Sequence, residues 1–369
     1  MFRPDAVAET CAVSTAPLVS IIIDNFNYAR FLERSIQSAL SQTYPHVEVI
    51  VVDDASTDGS PALVSRYADR ATVVLLPENL GQAGAFNAGF RASRGEILFF
   101  LDSDDWLYPQ AVQRVVAGWA PGASKLHFRL DLVAGDGTPV DIHPAPEVRL
   151  DSGDVRPRLY RIGRYETVVT SGNAFARVAL EPNMPIPEAP FRIAADGYLS
   201  TVVPFHGPVL AIEDRLGAYR IHGGNAYGGG VQQESPASLL QRVRRRLAHD
   251  RDKDAVLRIK AAAVGHPLDG EPYQRDGAHL ELRLASLVLD AASHPLPDDR
   301  RLALALRGMR ASRHLSLPAG RRVLVASWFL AVGVLPLPLA VRMVTWKMAP
   351  GTRPALVNSV FKRLRRALR

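Results

Sequence analysis

Three short apolar runs in the first hundred residues each stop at carboxylates. Val19 to Ile23 ends at Asp24, Val47 to Val52 ends at Asp53-Asp54, and Ile97 to Leu101 ends at Asp102-Ser103-Asp104-Asp105. Carboxylates gathered where neighbouring strands end suit two tasks. They accept hydrogen bonds from a base N–H or from ribose hydroxyls, and they hold a hard cation such as Mg2+ or Mn2+ that bridges phosphates. A lone Asp-x-Asp also serves as a turn or a helix cap and recurs by chance. Three acidic run ends in one array are much harder to reach by accident. Other nucleotide signatures are absent from the sequence: no Gly-x-Gly-x-x-Gly follows the first run, and no phosphate-loop lysine is present. Nothing points to a Ser-His-Asp or Cys-His triad.

The acids need a scaffold that brings the run ends together. The runs are rich in Val and Ile and apolar on both faces, which predicts strands buried in a sheet. Tyr28 to Gln42 carries Leu32, Ile36, Ala39 and Leu40 at helical spacing. Ser60-Pro61 reads as a cap followed by proline in the first helical position, opening a helix to about Tyr67. Thr72 to Leu76 is a third strand, Gln82 to Ala92 a helix and Ile97 to Leu101 a fourth strand. This alternation predicts an α/β fold with a mostly parallel sheet flanked by helices, whose function gathers at the strands' carboxyl ends. After Gly118 the pattern loosens. Lys125 to Val133 and Thr138 to Ile142 flank a hairpin signal at Ala134-Gly135-Asp136-Gly137. Val168 to Asn173 reads as a strand running into a loop, Ala194 to Val203 as a helix, and Leu210 to Arg220 as a returning strand. Gly223 to Gly230, with five glycines, closes the first domain, and Leu239 to about Leu317 is mainly helical.

Beyond single acids, whole segments resemble a known family. Val19-Ser20-Ile21-Ile22-Ile23-Asp24-Asn25-Phe26-Asn27-Tyr28, Ser35 to Pro45 and Val52-Asp53-Asp54-Ala55-Ser56-Thr57-Asp58 are similar to the opening of family 2 glycosyltransferases. The likeness continues through Asn79-Leu80-Gly81, Asn87-Ala88-Gly89 and Gly95 to Asp105. It covers about residues 17–107 closely and 165–225 more loosely. The resemblance implies a GT-A type Rossmann-like fold and an inverting, metal-dependent enzyme that uses nucleotide-diphospho-sugars. It implies that Asp54, with Asp24 beside it, binds the base, that Asp102 lies against the ribose, and that Asp104 ligates Mg2+ or Mn2+. Asp24 stands where many relatives have Pro or Thr. Gly81, at a helix N-terminus whose N–H groups favour anions, is a candidate for the phosphates, or only a packing glycine. Arg192 to Leu199 resembles the segment that holds the family's catalytic base, with Asp196 as its acid; Ala195-Asp196 replaces the usual Glu-Asp or Gly-Asp, and Glu188 is a weaker candidate. Tyr219-Arg220-Ile221-His222 resembles a late motif whose histidine, here His222, completes the metal or diphosphate site.

Composition sets the surroundings. The chain has 369 residues, 47% hydrophobic and 22% charged, which disfavours fibrous, disordered and polytopic membrane proteins. A single cysteine, Cys11, excludes an internal disulfide and suits a reducing compartment. The net charge of +7 is unevenly placed. No acid follows Asp299, and residues 300–369 carry 15 Lys and Arg, against 29 basic and 37 acidic residues before them. Residues 323–341 carry no charge but contain Pro336 and Pro338, so a helix broken in the membrane interface fits better than a single span. Residues 354–369 place Leu356, Val357, Val360, Phe361, Leu364 and Leu368 on one arc and basic residues on the other, the pattern of an interfacial helix on anionic lipid. The basic face lacks interleaved aromatics, so no nucleic-acid partner is expected.

The expected organisation is an N-terminal tail (1–16), a catalytic domain (17–230, with a nucleotide-binding half to 120 and an acceptor half beyond), a helical region (231–320) and a basic amphipathic, membrane-associating tail (321–369). The expected partners are a nucleotide-diphospho-sugar, a glycan or lipid-linked acceptor, and the cytoplasmic face of a membrane; oligomers are compatible with the sequence. Two other classes are weighed against this reading. A non-catalytic nucleotide-sugar or glycan binding module would not need every acid. A sugar nucleotidyltransferase would need a Gly-rich loop with Arg and Lys after the first strand, and Ile23 to Asn27 offers none.

Overall fold

A computed structural model describes residues 16–223, 235–315, 317–354 and 357–359. The glycine-rich stretch 224–230 and most of the basic segment 354–369 lie outside the described residues. Two compact units separate, one formed by residues up to 146, 150–157 and 165–220, the other by 147–149, 158–164 and the described part of 221–369.

The first unit is built on a mixed sheet. Its strands are β1 (Val19–Asn25), β2 (Val47–Asp53), β3 (Thr72–Leu75), β4 (Ile97–Asp102), β5 (Trp106–Leu107), β6 (Lys125–Ala134), β7 (Pro139–His143), β8 (Asn173–Ala176) and β9 (Val209–Ile221), in the order β3-β2-β1-β4-β8-β6-β9-β5 with β7 beside β6. Around them lie α1 (Ala29–Leu40), α2 (Ser60–Ser65), α3 (Gly81–Ala92), α4 (Ala111–Ala117) and α5 (Ala195–Val202). Alternation along the strands sorts side chains onto two faces. Ile21, Ile23, Val49, Val51, Phe99 and Leu101 pack with Leu32 and Ile36 of α1 and Val112 of α4. On the other side Phe86 of α3 stacks on Phe100 with ring centroids 4.1 Å apart.

The expectation of a mostly parallel sheet is corrected here. β3, β2, β1 and β4 pair in parallel, but β4–β8, β8–β6, β6–β7 and β5–β9 are antiparallel. After Asp105 only β6 and β7 are joined by a short hairpin; the other connections are long and carry helices, yet they return the chain antiparallel to its neighbour. Val168 to Asn173, read as a strand running into a loop, is instead a 3-10 turn at Thr170–Gly172 followed by strand β8.

The second unit is helical: α6 (Pro236–Ala263), α7 (Gly277–Leu289), α8 (Arg301–Ala311), α9 (Ala319–Val334) and α10 (Leu337–Met348). Ser235 caps α6 by accepting from the Ser238 N–H, with Pro236 in the first turn, and Asp276 caps α7 through the Ala278 and His279 N–H groups. Leu239, Val243, Leu280, Leu284, Leu304, Phe329, Val332 and Val344 form its core. Residues 319–348 are therefore part of this unit, with one face of α9 and α10 in its core. Among the described residues no helix is long and apolar enough to cross a membrane.

Candidate active site

Register brings the acids together. In the parallel ladder Asp24 of β1 pairs with Asp102 of β4 on one side and Val52 on the other, and Asp54 follows two residues beyond Val52. The remaining acids of these motifs hold the loops that shape the site. Asp53 accepts from Asn25 Nδ2 at 2.7 Å and from the Ser56 N–H at 3.0 Å. Asp58 accepts from the Ala29 and Ser60 N–H groups at 3.0 and 2.9 Å, fixing the starts of α1 and α2.

Asp54 is held more tightly than a free base acceptor would be. Its oxygens accept from the Leu80 N–H at 2.7 Å, the Gly81 N–H at 2.8 Å and Asn79 Nδ2 at 2.9 Å. A carboxylate has about four acceptor positions, so one remains. The Gly81 candidacy for the phosphates is corrected by the same bonds. Its N–H belongs to Asp54, and the next one, Gln82 N–H, donates to the Arg192 carbonyl at 2.8 Å. These orphan donors at the start of α3 are satisfied within the protein.

The central acids are crowded and partly buried. Asp24 Oδ1 is buried with no hydrogen-bond partner. Burial first, then the charges of Asp104 and Asp54, push the Asp24 carboxyl up to about 8. Asp102 Oδ1 accepts from Gln82 Nε2 at 2.9 Å; burial and then Asp24, Asp105, Asp104 and Asp196 raise it well above the ordinary range. Asp105 accepts from Ser171 Oγ at 2.6 Å and from the Arg220 N–H at 2.8 Å, and burial with Asp104 nearby still raises it. Asp102, Asp104 and Asp105 each offer an oxygen within 4.8 Å of the others. Tyr28 and Tyr219 border the same field: burial and then the acids raise both phenols, Tyr28 to about 12. Stacked carboxylates of this kind call for a countercharge, and an orphaned buried oxygen beside hard oxygen donors fits a divalent cation. Asp102 and Asp104 suit ligand roles, whereas both oxygens of Asp105 are already bonded.

Asp196 lies in the first turn of α5, partly buried, behind Ala194, which adopts a left-handed conformation with φ 63°. Its charge reaches Asp102, Tyr219 and Lys125. Glu188 is exposed at the start of a short helix, Glu188–Phe191. His222 directly follows the end of β9 and falls in the second unit, so its metal or diphosphate role stays with the resemblance.

Three residues that the sequence reading passed over shape this site. Gln82 bridges it: Nε2 donates to Asp102, and Oε1 accepts from the Ala195 N–H at 2.9 Å, tying the strand-end acid to the helix that carries Asp196. Arg220 holds the Asp104-Asp105 turn, its Nε donating to the Asp104 carbonyl at 2.9 Å and its guanidinium lying over Trp106 and Phe31. Lys125 is fully buried among hydroxyls, donating to Thr167 Oγ1 at 2.6 Å, Tyr165 at 3.0 Å and Ser200 Oγ at 3.3 Å. Burial lowers it to about 7, opposed by Asp196. Arg220 sits inside a motif already singled out and Gln82 directly follows one, which was the available signal; Lys125, in an otherwise ordinary strand, gave none.

The chain is similar to known proteins. The Glycosyl transferase family 2 model matches residues 20–126. An uncharacterized glycosyltransferase of Nostoc is 34% identical over 65% of this chain and 76% of its own length. The succinoglycan biosynthesis protein ExoO of Rhizobium meliloti is 41% identical over 34% of this chain, a match that spans 37% of ExoO. Among solved structures, S. aureus TarS 1–349 in complex with UDP-GlcNAc superposes with a TM-score of 0.50 at 16% identity, over 94% of this chain and 91% of TarS 1–349.

Proposed function

The chain belongs to the family 2 glycosyltransferases, and from that premise we propose that it is an inverting enzyme of bacterial-type surface polysaccharide synthesis. It moves a sugar from a nucleotide-diphospho-sugar to a hydroxyl of a glycan or glycolipid. The reading rests on one observation above the rest: Asp24, Asp54, Asp102 and Asp104 converge at the carboxyl ends of β1, β2 and β4, with a buried Asp24 oxygen lacking any partner. ExoO, a succinoglycan biosynthesis protein, supports the polysaccharide context, and TarS, a fold neighbour crystallised with UDP-GlcNAc, makes UDP-sugars the first donors to test.

Each residue has a distinct task in this proposal. Asp54 uses its remaining acceptor position for a base N–H, with Asp24 alongside. Asp102 accepts from the ribose. A divalent cation, Mg2+ or Mn2+, held by Asp102 and Asp104 would neutralise charge on the diphosphate as it leaves. Asp105, locked by Ser171 and Arg220, keeps the Asp104 turn in place. Asp196 takes the proton from the acceptor hydroxyl as that oxygen attacks the anomeric carbon. One displacement inverts the centre, and no enzyme nucleophile is required.

Asp196→Asn tests the assignment of the base. The amide keeps the shape but cannot accept the proton, so transfer falls by about 100-fold or more. Donor affinity stays near that of the unaltered enzyme, because Asp196 makes no contact with the diphosphate in this scheme. Near-normal turnover with a competent acceptor removes Asp196 from the role and brings Glu188 forward.

A further inference from the structure

Exposed large apolar side chains of the first unit, such as Phe26, Leu75, Val140 and Val178, stand apart in the sequence, as surface apolar residues commonly do. The helical unit differs. Within seventeen residues it exposes Val323 (65%), Leu330 (43%), Val334 (61%), Leu337 (53%) and Leu339 (44%). Val323, Leu330 and Val334 are seven and four residues apart and lie along one stripe of α9. The opposite stripe, Trp328, Phe329 and Val332, is in the helical core. The stripe is thus the outer face of a helix that is otherwise packed.

The chain turns back at its most apolar point. Leu335 is extended, Pro336 caps α10 and Pro338 lies in its first turn, so the helix cannot run through. The Arg301 guanidinium donates to the carbonyls of Val332, Gly333 and Leu335, which satisfies the end of α9 and fixes the turn. Leu302, 51% exposed, lies against Gly333 and extends the patch. Arg342 is exposed a few residues beyond Leu339. Arg301 at the turn and exposed Arg342 on α10 supply positive charge beside it, and in sequence residues 300–369 hold 15 Lys and Arg and no acid.

We propose that the α9–α10 turn inserts into the interfacial layer of an anionic phospholipid bilayer and anchors the protein on one leaflet. The apolar tip supplies burial in the acyl boundary, and the surrounding cations meet the headgroups. Neither helix spans: the 16 residues of α9 reach about 24 Å, short of a hydrocarbon core of about 30 Å. A second copy of the chain is the poorer occupant, because two such faces would bring like charges together. The inference stands on the helical unit alone, and vesicle binding is read without any transfer reaction, so its failure leaves the proposed chemistry untouched.

The test is sedimentation of the full chain with phosphatidylcholine vesicles containing about 30% phosphatidylglycerol, beside vesicles of phosphatidylcholine alone. The anionic vesicles should carry the protein down, and less so as salt rises from roughly 0.1 to 0.5 M. Leu337→Asp combined with Leu339→Asp, both on the surface, should leave the thermal melt unchanged and weaken vesicle affinity by at least about tenfold. Leu339→Trp reads insertion without a loss of function: its emission should shift to the blue and be quenched by brominated acyl chains. Unchanged affinity in the double variant, or emission indifferent to vesicles, overturns the proposal. So does a double variant that converts a dimer to a monomer while binding vesicles as before, which would make the patch a contact between copies.

Discussion

Asp24 combines a buried oxygen lacking a donor with a carboxyl pushed from 3.8 up to about 8. The sign of its linkage follows. Between those values the folded state keeps a proton that the unfolded chain has released, so the associated stability is complete below about pH 4 and is lost as pH rises through about 8. Asp24→Asn removes the charge that the site tolerates poorly. The melting temperature of the donor-free variant should therefore exceed that of the parent at about pH 8 by a few degrees, with the gap closing toward about pH 5. Parallel melting curves across that range would show that Asp24 carries no such strain. At this scale the gathering of the acids was legible: Asp24, Asp54, Asp102 and Asp104 do converge, because a parallel ladder with no register slip places run ends side by side. What sequence hid was which acids already have partners. Asp54 and Asp105 look identical to Asp24 as letters, and only the three N–H groups on Asp54 and the Ser171 and Arg220 bonds on Asp105 separate them. Gln82 escaped notice because its function is a bridge between two segments 113 residues apart.

Helices and strands were read well where one residue pattern decides them, as in β1, β2, β4 and α1. Pattern reports burial, not the direction of the neighbouring strand, so the β6–β7 hairpin was read from its turn residues while the antiparallel pairings of β8 and of β5 with β9 were missed. β8, Asn-Ala-Phe-Ala, is buried throughout and has neither β-branched residues nor alternation to mark it. Close packing between elements is also invisible in a sequence, and Gly308 shows its consequence. The residue lies in α8, where Gly308→Ala would ordinarily gain roughly 1 kcal/mol of helix propensity. A methyl group there would stand well inside van der Waals contact with the Phe329 ring of α9. Overpacking of this kind costs about 1–3 kcal/mol, so the variant should be destabilised overall, seen as a lower denaturant midpoint. A higher midpoint would mean that Phe329 moves aside freely and that the α8–α9 contact is loose.

The whole molecule joins a mixed α/β unit bearing the acids to a helical unit bearing the basic, apolar turn, and the two are separable in what they predict. The central claim concerns the first: Asp102 and Asp104 hold a divalent cation through which a nucleotide diphosphate binds. Calorimetric titration of UDP into the full chain tests it most directly, once with Mn2+ or Mg2+ and once with EDTA, for the unaltered protein and for Asp104→Asn. Affinity should be at least about tenfold higher with the cation in the unaltered protein. Asp104→Asn should lose that difference while melting as a folded protein. Equal titrations with metal and with EDTA in the unaltered protein would contradict the account.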